Sequence, residues 1–131
     1  MISACLLGLR TRYDGDSRIS QTCLEFIRGS LWIPVCPEQL GGLATPRQAA
    51  DIVGGNGFDV LKGEARVIDR DGHDLTSEFI LGARQILYIA KKQNVRAVLL
   101  KSRSPSCSVQ IPGVTAALLM DNNIAVKEYS Y

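Results

Sequence analysis

No apolar run in this 131-residue sequence approaches the ~20 residues of a membrane-spanning helix, so no membrane partner is expected. The chain also lacks an excess of one charge: 15 Lys and Arg face 13 Asp and Glu, for a net +2. That excludes a broad electrostatic footprint for DNA and leaves room only for a local basic patch. The opening "MISACLLGLR" has no preceding basic region and no small-residue cleavage site, so no export leader is expected. No internal repeat or low-complexity tract is present, and the length suits one domain over residues 1–131. Histidine is nearly absent: His73, the single one, follows Asp71-Gly72 in an expected turn. The four cysteines include no CxxC pair, which disfavours a structural zinc site. Without an export signal they are expected as free thiols in a reducing, cytoplasmic compartment.

Short apolar runs alternate with helical patterns. Met1–Ala4, Leu31–Val35, Val95–Leu100 and Ile124–Tyr129 read as strands. A helix is expected from about Ser17, with Ile19, Cys23, Phe26 and Ile27 on one face, ending at Gly29. The clearest helix carries Phe79, Ala83, Ile86, Leu87 and Ala90 on one face, with Asp74 or Thr76 as cap and Lys91 and Lys92 at its C-terminal end. Gly113–Asp121 reads as a short apolar helix. Residues 38–57 read as a long loop, with one helical turn after Thr45-Pro46. The segment "FDVLKGEARVIDRDG" that follows reads as a β-hairpin turning near Lys62-Gly63. Alternating strands and helices predict an α/β fold: a small Rossmann-like or flavodoxin-like sandwich, mostly parallel, with an added β-hairpin.

In such sheets ligands bind beyond the carboxyl ends of the strands. Cys5 directly follows the first strand and Cys36 the second, while Cys107 lies a short loop beyond the strand ending near Leu100. All three are expected at one edge. Cys23 falls on the apolar face of the first helix and reads as an ordinary small core residue. One cysteine alone reads as filler, since the residue type is commonly buried; three at three strand ends call for another account. A phosphatase loop is excluded, because Arg10 is one residue too near Cys5 and Arg12 one too far. A cubane iron–sulfur cluster fits better, because three thiolates leave one iron open as a Lewis acid. The proline of Cys36-Pro37 also restrains the preceding backbone to extended conformations.

The segments "SACLLG" around Cys5, "RYDG" at Arg12–Gly15, "VCPEQLGGLATPR" at Val35–Arg47, "KSRSPSC" at Lys101–Cys107 and "GVTAALL" from Gly113 resemble the thiouracil desulfidase family of short bacterial proteins. The resemblance runs from Ile2 to about Glu128. It implies an oxygen-sensitive 4Fe-4S cluster held by Cys5, Cys36 and Cys107 and used without redox turnover. The open iron would take the thiocarbonyl sulfur of a thiolated uracil while water attacks the ring carbon. Glu38 matches the glutamate of the family's Cys-Pro-Glu motif and is assigned as general acid/base. Ser104 is the choice for the catalytic serine, with Ser102 and Ser106 as weaker candidates. For substrate binding, Tyr13 is a candidate to stack on a base and Asp14 to accept from a ring N–H, with Ser102 beside them. Arg12 and Lys101 are candidates to meet a phosphate if the substrate is a nucleotide such as 4-thiouridine monophosphate.

One departure stands out. The family follows its last cysteine with a glycine and a longer glycine-rich segment, whereas here Cys107 runs through "SVQIP" almost directly into Gly113. That puts in question the lid the segment would make over the cluster. Other readings stay open: thiolated tRNA as substrate, disfavoured by the near-neutral charge; a non-catalytic nucleotide- or metal-binding module; and a thiol redox protein. Free base against nucleotide, the 2-thio against the 4-thio position, and monomer against homodimer also remain open.

Overall fold

The computed structural model describes residues 1–131. Four parallel strands form the main sheet in the order β2-β1-β5-β6: β1 is Ile2–Ser3, β2 Pro34–Val35, β5 Ala97–Lys101 and β6 Ala125–Tyr129. β1 pairs with β2 on one side and β5 on the other, and β5 pairs with β6. The strand order therefore reverses at β1 and β5, the place where such sheets open a crevice beyond their carboxyl ends.

Alternation along β5 sets the two layers. Val98 and Leu100 face a core shared with Ile86 and Ala90 of α4 (Thr76–Lys92) and with Ala116 and Leu119 of α5 (Val114–Asp121). Leu99 faces the opposite core, with Ile2, Leu6, Tyr129 and the Cys23 and Ile27 side chains of α1 (Gln21–Ile27). Both faces of the sheet are covered, as a parallel sheet requires. α5 is buried nearly all round because α3 (Gly57–Lys62) and α4 flank it, and this explains its apolar composition.

Several sequence expectations need correction. The first helix starts at Gln21 rather than near Ser17, because Ser20 Oγ caps it by accepting from Cys23 N. Ile19 precedes it and Phe26 is 58% exposed, so only Cys23 and Ile27 of the expected face enter the core. The hairpin exists with a different first strand. β3 (Ala50–Val53), inside the expected loop, pairs antiparallel with β4 (Arg66–Asp69). Residues 58–62, expected as a strand, lie in α3, which a reciprocal capping box starts: Asn56 Oδ1 accepts from Phe58 N, and Asp59 Oδ2 from Asn56 N. No helical turn follows Thr45-Pro46; one forms instead directly after Cys36, as α2 (Pro37–Leu40) with proline at its first position. In α4, Phe79, Ala83, Ile86 and Ala90 are buried as expected, and Leu87 is half-buried.

α2 is too short to hold itself and is docked on α4 by backbone contact. A Cβ on Gly82 would lie 1.9 Å from Pro37 O, and one on Gly41 would lie 2.1 Å from Glu78 O. Replacing a helical glycine by alanine ordinarily stabilises by roughly 1 kcal/mol. Gly82→Ala should do the reverse, lowering stability by about 1–3 kcal/mol through the forced separation of α2 from α4. A urea titration with an unchanged midpoint would refute the docking contact.

Candidate metal centre and substrate cavity

The three strand ends meet because β1 lies between β2 and β5. β1 passes straight into a single 3-10 turn, Ala4–Leu7, whose second residue is Cys5. Cys36 caps α2 with an extended backbone, φ −128° and ψ 111°, the conformation proline imposes on its predecessor. Cys107 ends the loop after β5. All three line one cavity of about 310 Å³, and Glu38, Ser104, Arg12, Tyr13 and Lys101 line it with them. Cys23 stays in the core beneath α1.

The loop carrying Cys107 is pinned along its whole length. Ser104 Oγ accepts from the backbone N–H groups of Ser106 and Cys107, both at 3.2 Å. Beyond the cysteine, Glu128 Oε2 accepts from Ser108 Oγ at 2.9 Å and from Val109 N at 2.5 Å. The N-terminus of α5 presses on the loop from behind, with Val114 N donating to Pro105 O and Thr115 N to Ser106 O, both at 2.9 Å. Gly113 permits that approach, since a Cβ there would lie 2.5 Å from the Ser106 carbonyl carbon. Ser3 ties this loop to the first strand: its Oγ accepts from Lys101 N at 3.1 Å and donates to Cys107 Sγ at 3.6 Å. Cys36 Sγ donates to Thr11 O at 3.6 Å.

Burial is the largest influence on all three thiols. It pushes Cys5 up to about 11, partly offset by Lys101. It also raises Cys36, and raises Cys107, the most enclosed, furthest. Cys107 is raised further by Cys36 and Cys5, and Cys5 by Cys36. Such a trio holds its protons when alone and releases them to a multivalent cation. The donor set has three sulfurs and no further Cys or His in the cavity wall. His73 lies instead in the β4–α4 turn, its Nδ1 3.0 Å from Asp69. A closed four-ligand zinc site is therefore not built here, whereas a three-cysteine iron–sulfur cluster fits the donors present.

Glu38 faces the thiols from the first turn of α2. Its Oε2 pairs with Arg47, at 2.6 Å from Nη2 and 2.7 Å from Nε, and its Oε1 accepts from the buried Ser106 hydroxyl at 3.2 Å. The mouth of the cavity is cationic, lined by Arg12, Lys101, Arg70 and Arg103. Asp14 does not line the cavity. It holds Arg12 through a 2.5 Å ion pair, and these hydrogen bonds from Arg12 bring its carboxyl down to about 2. Arg12 also donates to the Tyr131 hydroxyl and lies 5.7 Å over Tyr13 and 5.5 Å over Tyr131. Ser102 likewise lies outside the lining, its carbonyl accepting from Lys101 Nζ at 2.7 Å. The structure thus brings together eight of the ten residues singled out in the sequence and sets Asp14 and Ser102 behind them.

The chain matches the family described as 2-thiouracil desulfurase over residues 1–129. It belongs to that family. An uncharacterised Bacillus subtilis (strain 168) protein, YbbK, is 39% identical over 132 aligned positions, 91% of this chain and 87% of that one. Among solved structures, the [4Fe-4S]-dependent thiouracil desulfidase TudS is similar with a TM-score of 0.77 and 35% identity, over 97% of this chain and 87% of that chain. That similarity agrees with the α/β sandwich described above.

Sequence reasoning left Arg47, Ser3, Arg70, Arg103 and Tyr131 without roles, and ranked Ser106 low. Arg47 stood inside a recognisable segment, but an arginine whose partner is nine residues away shows no periodic signal. Tyr131 and Arg70 reach the cavity only through tertiary packing.

The buried thiols carry a pH dependence. An unfolded cysteine ionises from its ordinary value of 9.0, whereas folded Cys5 holds its proton to about 11. Between those values the unfolded chain binds fewer protons than the folded one. Metal-free protein should therefore keep this stability below pH 9.0 and lose it as pH rises toward about 11. Urea midpoints compared at about pH 8 and about pH 10 should fall, and Cys5→Ser should flatten the difference.

Proposed function

We propose that this chain hydrolyses the carbon–sulfur double bond of a thiolated uracil, as free base or nucleotide, in the cytoplasm, with a 4Fe-4S cluster held by Cys5, Cys36 and Cys107. The observation that carries this reading is the convergence of three thiols, two buried and one half-buried, and the Glu38 carboxylate on a single cavity. No helix is long and apolar enough to cross a membrane, and the four cysteines are free thiols suited to a reducing compartment. Bound to the three thiolates, the cluster supplies an iron without a protein ligand, a Lewis acid with affinity for a soft sulfur.

The chain's own residues manage position and protons. Water adds to the thiocarbonyl carbon, its oxygen stays on the ring, and sulfur leaves as sulfide. Both water protons must leave the oxygen. We assign Glu38 to take the first during attack and return it to the departing sulfide, the second passing to solvent as the carbonyl forms. Oε2 is doubly engaged by Arg47, whereas Oε1 has only the Ser106 hydroxyl, so Oε1 is the atom assigned to the proton. Ser104 Oγ accepts from two backbone N–H groups, which leaves its hydroxyl hydrogen to donate to the tetrahedral intermediate. Tyr13 offers a ring face for the pyrimidine. Lys101 and Arg12, the latter held by Asp14, offer cations to a 5′-phosphate.

Anaerobic reconstitution with iron and sulfide tests the centre. About four irons per chain and a broad visible absorption are expected, both lost in Cys107→Ser. Sulfide release is then measured with 2- and 4-thiouracil and their nucleotides. Glu38→Gln should lower kcat roughly 100-fold or more with iron content unchanged. Absence of iron uptake by the parent would sink the reading in favour of a binding module. Arg12→Gln should raise KM roughly 10-fold or more for a thiouridine monophosphate and leave the free base unaffected. Equal effects on both would remove the phosphate role.

A further inference from the structure

We infer that Arg47 is a positioning residue that clamps Glu38 against the loop after β1, and that it does not bind substrate; this rests on the function proposed for Glu38. Arg47 lines the cavity beside four other cations, where an arginine would ordinarily be assigned to a phosphate. Its hydrogen bonds argue otherwise. A guanidinium has five N–H donors in a rigid fork. Nε donates to Glu38 Oε2 at 2.7 Å, and Nη2 lies 2.6 Å from the same oxygen in the ion pair. Nη2 donates to Thr11 O at 3.2 Å. Nη1 donates to Ala44 O at 3.2 Å and Thr45 Oγ1 at 2.9 Å. Four hydrogen bonds and the ion pair to Glu38 hold the guanidinium within the protein, and the side chain is 8% exposed. The group is thus committed to protein acceptors on every nitrogen, in contrast to Arg70 and Arg103, which are exposed at the mouth.

The acceptors belong to three separate segments, and each bears on the site. Thr11 O is also the acceptor for the Cys36 thiol, so Arg47 and Cys36 grip the same peptide from two sides. Arg47 N donates to Tyr13 O at 2.7 Å, which places the ring assigned to the pyrimidine. Thr45 Oγ1 accepts in addition from Gln39 Nε2 at 2.8 Å, one residue beyond Glu38. Arg47 therefore sets the distance between the carboxylate and the loop that flanks Cys5. Lysine, with three donors at one point, cannot span the same acceptors.

The test compares the parent, Arg47→Lys and Arg47→Ala, reconstituted anaerobically, on 4-thiouracil and on its nucleoside monophosphate. A clamp on Glu38 predicts that kcat falls roughly 100-fold for both substrates, with KM moved about 3-fold or less and iron content unchanged. A KM rise confined to the nucleotide, with kcat for the free base intact, would make Arg47 a phosphate ligand and overturn the inference. A second readout needs neither cluster nor turnover. In urea unfolding of the metal-free protein, Arg47→Ala and Glu38→Ala should be non-additive, the double variant losing little more than the worse single one. Additive losses would mean that the two side chains do not act together, and Arg47→Lys substitutes in the cycle if Arg47→Ala fails to fold. A parent that releases no sulfide removes the proposed function, and the unfolding cycle then decides the clamp by itself.

Discussion

Everything at the cavity depends on β1 being held between two parallel neighbours. Parallel strands deliver their carboxyl ends to the same edge, so residues following β1, β2 and β5 meet although 31 and 71 positions separate Cys5 from Cys36 and Cys36 from Cys107. The contact is economical. β1 and β2 contribute two residues each, and the anchoring comes from helices on both faces rather than from long ladders. A sheet this short would be marginal alone; the cores beneath α1 and beneath α4 and α5 hold it in place.

The edge so formed is used in two opposite ways. Burial makes the thiols reluctant to ionise and to approach as thiolates, a condition that a multivalent cation relieves. In the same cavity the carboxylate of Glu38 is fully compensated, with a guanidinium on one oxygen and a hydroxyl on the other. The two halves are joined by Ser106, which neighbours Cys107 in sequence and Glu38 in space, and by Thr11, whose carbonyl receives both Cys36 and Arg47. Displacing either loop would therefore disturb the thiols and the carboxylate together.

The short segment after Cys107 also bears on how the cavity is closed. The chain passes from Cys107 into α5 within a few residues, held by Glu128 and by the helix N-terminus. No long glycine-rich loop is available to fold over the thiols. Tyr131, Arg12 and Tyr13 stand at the mouth instead, stacked cation against ring.

The alternation of apolar strands with helical faces was legible without coordinates, and so was the placement of three cysteines at strand ends, because both follow from local periodicity and from the rule that parallel sheets open at one edge. The core face of α4 and the burial of Cys23 were legible on the same grounds. The hairpin was not. Phe58 and Val60 alternate as in a strand, yet the capping box at Asn56 and Asp59 and the packing of α3 on α5 make that segment a helix, leaving Ala50–Val53 to pair with β4. Asp14, Ser102 and Arg47 were likewise beyond local reading. Their roles turn on which partner each side chain meets across the fold, and Arg47 meets acceptors on three segments. Local pattern thus determined the main sheet, the core face of α4 and the three strand-end cysteines; only tertiary contact decided which charges face the cavity and which are spent holding its walls, because that choice is made by geometry between residues far apart in the chain.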